Sequence, residues 1–143
     1  MHNLLGAVRV LYAAIERFDA ATAARLGLDR TALRAVNAME GGPVSPTDLG
    51  TALGLTSGSV TALIDRMDRA GHIERVAARD RRVRLVQLTP QARAAADGHY
   101  ARLGAEIAAA FAVLPPATQA AAQTGIATLA AAFDRAAPSG PDA

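Results

Sequence analysis

The chain of 143 residues carries 15 basic and 13 acidic side chains; 51% of its residues are hydrophobic, only 3% are aromatic and none is cysteine. This length suits a single domain or one subunit of an intertwined dimer, and the missing thiols exclude a disulfide framework, a thiol redox switch and a thiolate zinc site. Alanine supplies much of the apolar fraction, and small side chains bury little area each at roughly 25 cal/mol per Å². A slender helical monomer of this composition is therefore expected to be marginal, with a second copy supplying the missing burial.

Residues 3–25 read as a first helix. Leu4, Val8, Leu11, Ile15 and Phe18 recur at alternating spacings of four and three, widened by Leu5 and Tyr12, which makes a heptad-like seam. Gly27 breaks it. Asp29 and Thr31 are both candidates to cap a second helix that reaches about Glu40, with Leu33, Val36 and Met39 or Glu40 on successive turns. Gly41-Gly42-Pro43 stops that helix, and Val44 is placed to add one short strand.

Ser45 is a cap, Pro46 suits the first helical position, and Asp48 complements the dipole of a short third helix. Leu49, Ala52 and Leu53 would line its buried face. Gly54 permits the left-handed backbone that ends it, and a fourth helix starts almost at once, capped by Thr56 or Ser57. Val60, Leu63, Ile64 and Met67 form its apolar stripe. Two helices joined by so short a turn cross steeply, as in DNA-binding helix-turn-helix units. Ser57, Ser59, Thr61, Ala62, Asp65, Arg66 and Arg69 face outward, and short side chains in the first turns of such a second helix allow close approach to base edges and phosphates.

Gly71 ends that helix. Residues 72–76 and 83–88 then read as two strands around Ala77-Ala78-Arg79-Asp80-Arg81-Arg82, a hairpin tip. From Arg66 to Arg84 there are seven arginines against Asp68, Glu74 and Asp80, a balance of +4, which leaves the remainder of the chain at −2. The basic charge is concentrated beside the proposed reading helix. Arginine at a hairpin tip can reach phosphates or an A·T-rich minor groove.

Thr89 caps and Pro90 opens a long helix to about Val113, with Leu103, Ile107, Ala110 and Leu114 as its seam. Pro115-Pro116 breaks it, and a last helix reaches about Ala137 with Ala122, Ile126, Leu129 and Phe133 on one face. Its apolarity comes mostly from alanine, and Gln119, Gln123 and Thr124 interrupt it, so it is not expected to enter a membrane. Pro138-Ser139-Gly140-Pro141-Asp142 reads as a disordered tail. The N-terminus has no basic region, hydrophobic core or cleavage site of a signal peptide, and a cytoplasmic location is expected.

The spacing D-x-R-x5-L-T formed by Asp80, Arg82, Leu88 and Thr89 resembles the wing signature of the MarR (multiple antibiotic resistance regulator) family. Leu55-Thr56-Ser57-Gly58-Ser59-Val60-Thr61 and Leu63-Ile64-Asp65-Arg66-Met67 resemble that family's recognition helix, and the flanking helices extend the likeness over essentially the whole chain. The resemblance implies a mainly α fold: a winged helix-turn-helix with a two-stranded β wing and N- and C-terminal dimerisation helices. Residues 1–29 and 89–137 would form the helical dimerisation region, residues 30–88 the DNA-binding region, and residues 138–143 the tail.

The implied function is a dimeric, sequence-specific transcriptional regulator, a repressor relieved by a small molecule. It would bind double-stranded DNA at a pseudo-palindromic operator, with half-site centres roughly 34 to 36 Å apart. Ser57, Ser59, Thr61, Ala62 and Arg66 are the expected DNA contacts on the reading helix, Arg66 reaching either guanine or phosphate. Ala62 stands where many relatives carry a longer polar residue, which shifts base reading toward methyl contact and DNA shape. Arg79, Arg81 and Arg84 are the expected wing contacts, and Asp80 with Arg82 holds the hairpin together in the family pattern. Relatives release DNA to small anionic or aromatic effectors, for which Arg9, Tyr12, Arg34 and Met39 would line a cleft. The competing reading is a winged-helix scaffold for protein interaction or dimerisation without a specific DNA site.

Catalysis has no support in the sequence. His2, His72 and His99 are far apart and form no H-x3-H or H-E-x-x-H arrangement, no phosphate-binding glycine loop occurs, and no serine sits in a nucleophile elbow. An enzyme, a metal and a cofactor are not expected.

Overall fold

The computed structural model describes residues 2–77 and 84–137. The wing-tip residues Arg79, Asp80, Arg81 and Arg82 and the tail at 138–143 lie outside the described residues. Helices and strands follow in the order α1 (His2–Leu26), α2 (Arg30–Ala38), α3 (Pro46–Leu53), α4 (Ser57–Arg69), β1 (Ile73–Ala77), β2 (Arg84–Leu88), α5 (Pro90–Ala112) and α6 (Pro116–Ala136). This is the mainly α winged helix-turn-helix that the patterning implies. The chain divides into two compact units, Met1–Tyr100 and Ala101–Ala143.

In the first unit, one core is built from a stripe of each short element. Asp29 caps α2, its Oδ1 accepting from Ala32 N at 2.8 Å; Thr31 does not serve as the cap. Leu33, Val36 and Met39 point inward with Ala32 and Ala35, while Glu40 is exposed, so Met39 takes the last inward turn. Leu49 and Leu53 of α3, Val60, Leu63, Ile64 and Met67 of α4, and Ile73, Val86 and Leu88 of the ribbon complete the core. Ala52 is exposed, contrary to expectation; Gly50 takes the inward place beside Leu49.

The ribbon is antiparallel, with Ile73 opposite Leu88, Arg75 opposite Val86 and Ala77 opposite Arg84. Val44 adds the short third segment, exchanging both backbone hydrogen bonds with Val86 at 2.9 Å. At the base of the wing, Thr89 N donates to His72 O at 3.1 Å and Thr89 Oγ1 donates to Gly71 O at 2.9 Å. The same hydroxyl accepts from Ala92 N, which starts α5.

Three contacts seat the first half of α5 on α1 and α2. Arg93 donates to the carbonyls of Glu40 and Met39, both at 3.1 Å, and so closes the C-terminus of α2. Tyr100 OH donates to Asn37 Oδ1 at 2.7 Å. Thr22 is fully buried and its hydroxyl donates to Phe18 O at 2.8 Å. Because that hydroxyl has one proton, His99 Nε2, 2.5 Å away, must be the donor to Thr22 Oγ1. The His99 ring stacks on Phe18 with centroids 4.9 Å apart.

The forward part of α1 has no such cover. Leu4, Leu5, Leu11, Tyr12 and Ile15 are exposed, so most of the heptad-like seam faces away from the core of its own unit.

The second unit holds the end of α5 and all of α6. Leu114 N donates to Phe111 O at 2.9 Å as α5 closes, and Gln119 Nε2 reaches back to Leu114 O at 2.9 Å across the diproline. No residue of α6 is buried; Ile126 and Phe133 are exposed, and Ala122 and Leu129 are half-buried. Among the described residues, no helix is long and apolar enough to cross a membrane.

Candidate nucleic-acid interface

The helix pair α3–α4 is held by two side-chain caps and one close approach. Ser45 Oγ accepts from Asp48 N at 3.0 Å and donates to Asp48 Oδ2 at 2.7 Å, so the acid both completes the cap and meets the positive end of α3. At Gly54 the backbone turns left-handed, with φ 67° and ψ 37°. Thr56 then caps α4, accepting from Ser59 N at 3.3 Å. Where the helices cross, a Cβ on Gly50 would lie 3.0 Å from Val60 Cγ2 and 3.4 Å from Leu55 O. A residue without a side chain is therefore what lets α4 sit close against α3.

With Val60, Leu63, Ile64 and Met67 turned inward, the other side of α4 faces solvent. Ser57, Ser59, Thr61, Ala62 and Arg66 are all exposed. Two of the hydroxyls already donate locally or accept from a neighbour: Thr61 Oγ1 donates to Ser57 O at 3.0 Å, and Ser59 Oγ accepts from Thr56 Oγ1 at 3.0 Å. Thr61 thus presents lone pairs and a methyl group to a ligand. An open groove of about 410 Å³ runs along the helix pair, lined by Thr47, Thr51, Ser57 and Thr61 among others.

The arginines beside this face are less free than their number suggests. Arg66 Nη2 lies 2.6 Å from Asp29 Oδ2. Arg75, on the first strand of the wing, places Nη2 at 2.6 Å from Asp65 Oδ1 and Nε at 3.2 Å from Asp68 Oδ2. Arg69 Nε donates to Asp65 O at 3.1 Å. Arg84 is exposed on β2, and across the ribbon Gln87 Nε2 donates to Glu74 Oε1 at 2.7 Å. Within the described part of the reader, Arg66 is thus paired with Asp29, and Arg75 with both Asp65 and Asp68. Of the +4 counted from Arg66 to Arg84, half belongs to Arg79, Asp80, Arg81 and Arg82, which lie outside the described residues.

Sequence reasoning named these acids and missed their pairing with Arg66 and Arg75. The signal was present: two carboxylates three positions apart on a helix meant to approach a polyanion need a cation, and Arg75 on the next element supplies it.

The residues expected to line an effector cleft fall in different settings. Arg9 and Arg34 are exposed, and Met39 is completely buried in the core. Tyr12 OH donates to Glu16 Oε1 at 3.0 Å, and Arg30 Nη2 reaches the same oxygen at 2.6 Å. Arg30 first, and Tyr12 second, hold the Glu16 carboxyl below the usual carboxylate range, and Glu16 in turn raises Arg30. A cavity of about 250 Å³ lies elsewhere, among Arg25, Leu28, Val36, His72 and Gln91. Among the described residues, no group of three or more His, Cys, Asp or Glu side chains could hold a metal ion.

Comparison with known proteins bears on the same elements. The family model described as MarR family matches residues 26–83, from the end of α1 to the wing. The uncharacterized HTH-type transcriptional regulator YcgE of Bacillus subtilis (strain 168) is 44% identical over 59 residues, 41% of this chain and 38% of YcgE. The chain thus matches well under half the length of that relative. A MarR family protein from Bacillus stearothermophilus superposes with a TM-score of 0.76 at 17% identity, covering 92% of this chain and 94% of that one. A single-residue mutant of MepR from S. aureus, bound to an oligodeoxyribonucleotide, superposes with a TM-score of 0.60 at 12% identity, covering 93% and 98%. At such identities the superpositions show a shared fold.

Proposed function

We propose that this chain, whose residues 26–83 match the MarR family model, is a MarR-type DNA-binding transcriptional regulator working as a homodimer on a pseudo-palindromic operator. The observation that carries the reading is α4: four apolar side chains fix one side in the core, and the opposite side offers Ser57, Ser59, Thr61 and Ala62 to solvent beside a wing. Small hydroxyl and methyl groups at the start of such a helix let it enter a major groove closely enough to touch base edges. Binding of an oligodeoxyribonucleotide by the MepR mutant of the same fold supports the assignment.

Residues 1–29 and 89–137 are the dimerisation region in this proposal. The exposed seam of α1 and the exposed Ile126 and Phe133 of α6 are large apolar side chains, and burying each contributes about 1.5–3 kcal/mol. A second copy is the partner whose matching seams suit them, and twofold symmetry then presents two reading helices to one duplex.

Repression follows from occupancy of a promoter, and relief from an anionic or aromatic effector that prefers a head spacing mismatched to successive grooves. A compound that binds both arrangements equally shifts nothing. Exposed Arg9, Tyr12 and Arg34 remain the candidate effector contacts; Met39, sealed in the core, does not line a cleft.

The test is titration of purified protein against DNA upstream of its own gene and against scrambled DNA, over a range of salt concentrations. The expected result is a specific-to-non-specific ratio of at least about 10³, with affinity falling steeply as salt rises. Equal affinity for both DNAs would instead favour a winged-helix interaction scaffold.

A further inference from the structure

We propose that Arg75 is a positioning residue for DNA recognition: it clamps the wing against the reading helix by gripping Asp65 and Asp68 together, and it does so without touching DNA. The inference rests on the DNA-reading role of α4 and adds to it the device that sets the wing's angle.

The geometry is specific to a guanidinium. Arg75 stands on β1 two residues beyond buried Ile73, where the ribbon leaves the core. Its Nη2 meets Asp65 Oδ1 at 2.6 Å while its Nε meets Asp68 Oδ2 at 3.2 Å. One planar group therefore spans two carboxylates on adjacent turns of one helix, which an ammonium on a flexible stem does not reproduce. All three side chains are close to half exposed. The grip is a surface feature that the core does not enforce.

Two consequences follow from the placement. A two-stranded ribbon is marginal by itself; among the described residues, this one is anchored to the core through Ile73, Val86, Leu88, the Val44 bridge and Thr89. On the rung of Val86, the outermost of these anchors, the bonds from Arg75 to α4 add the hold that fixes the ribbon's sideways angle. Asp65 and Asp68 would also repel both each other and a phosphate backbone if left bare, so the clamp neutralises the acidic patch that it grips.

Arg75→Lys separates these effects, because it keeps the charge and loses the fork. Without DNA, amide hydrogen exchange at Val76 and Leu85 should rise at least roughly tenfold in Arg75→Lys, with the core amides of Leu63 and Ile64 and the melting temperature unchanged. With DNA, the footprint should lose its outer, wing-contacted positions and keep the inner ones, and the specific-to-non-specific ratio should fall roughly tenfold. In Arg75→Ala combined with Asp65→Asn and Asp68→Asn, which leaves no bare carboxylate, non-specific affinity should match the wild type while the outer protection is lost as in Arg75→Lys.

Wild-type exchange and footprint in Arg75→Lys would overturn the clamp, and so would full recovery of the outer footprint in the triple variant, which would leave neutralisation as the whole effect. The exchange measurement needs no duplex. A wild-type protein that gives no footprint at all, with the exchange change present, would therefore retain the mechanical link and remove DNA reading.

Discussion

Arg66 and Asp29 are joined at 2.6 Å by a carboxylate that works twice: Oδ1 of Asp29 caps α2 and Oδ2 takes the guanidinium. The arginine that patterning assigns to guanine or phosphate is thus held, in the absence of DNA, by the joint between α1 and α2. Asp29→Asn keeps the cap, since asparagine caps as well as aspartate, and removes the charge. It should leave unfolding free energy within about 1 kcal/mol, the range of an exposed ion pair. It should also raise affinity for DNA and steepen its salt dependence, as the released guanidinium gains a phosphate. Asp29→Ala should cost about 1 kcal/mol more through the lost cap. Urea unfolding with DNA titration checks both; unchanged affinity in Asp29→Asn would show that Arg66 does not face the duplex.

The crossing of α3 and α4 is tight at Gly50. In Gly50→Val the Cβ alone would come to 3.0 Å from Val60 Cγ2, before the methyl groups are added. A loss of about 1–3 kcal/mol is expected in urea unfolding. Adding Val60→Ala should recover part of it, because the clash is with that side chain. No recovery would mean that the contact with Leu55 O dominates.

Tyr100 carries a pH dependence. Partial burial, foremost, raises its hydroxyl above the ordinary 10, with Asp19 and Glu40 adding to the rise and the bond to Asn37 opposing it. A group whose folded pKa is raised stabilises the fold fully below its unfolded value, and that contribution is lost as pH rises through the folded one. Stability should therefore fall from about pH 10 upward, and Tyr100→Phe should flatten that fall. Denaturant midpoints between pH 8 and 11 read it; an identical slope in the variant would remove Tyr100 as the cause.

The apolar seam of α1 can be tested by charge. Leu11 and Ile15 are about half exposed in the single chain, so replacing both by glutamate should leave the first unit folded. If the seam pairs with a second copy, sedimentation should report half the mass, and affinity for a two-half-site operator should fall by 10²-fold or more, on the order expected when two linked sites become one. An unchanged mass would assign the seam to some other contact.

Much of this could be seen in the amino-acid order. The 3.6-residue stripes of α2 and α4, the caps Ser45, Thr56 and Thr89, the glycine at 54 and the diproline at 115–116 are local signals, because caps, turns and periodic burial are settled by neighbours in sequence. Every helix accordingly lies within a few residues of its expected span. The exposed hydroxyl face of α4 was legible for the same reason: once four positions are turned inward, helical geometry places the rest.

What the order of residues leaves open is which charges are spent. Arg66 and Arg75 look like free basic side chains until the fold brings Asp29 to one and the Asp65–Asp68 pair to the other. Nor could it show that Met39 rather than Glu40 is sealed inside, or that the single hydroxyl proton of Thr22 makes His99 Nε2 the donor. Local periodicity specifies which side of a helix is apolar. Partners distant along the chain meet only when the core closes, and the number of arginines left to meet a phosphate is decided there.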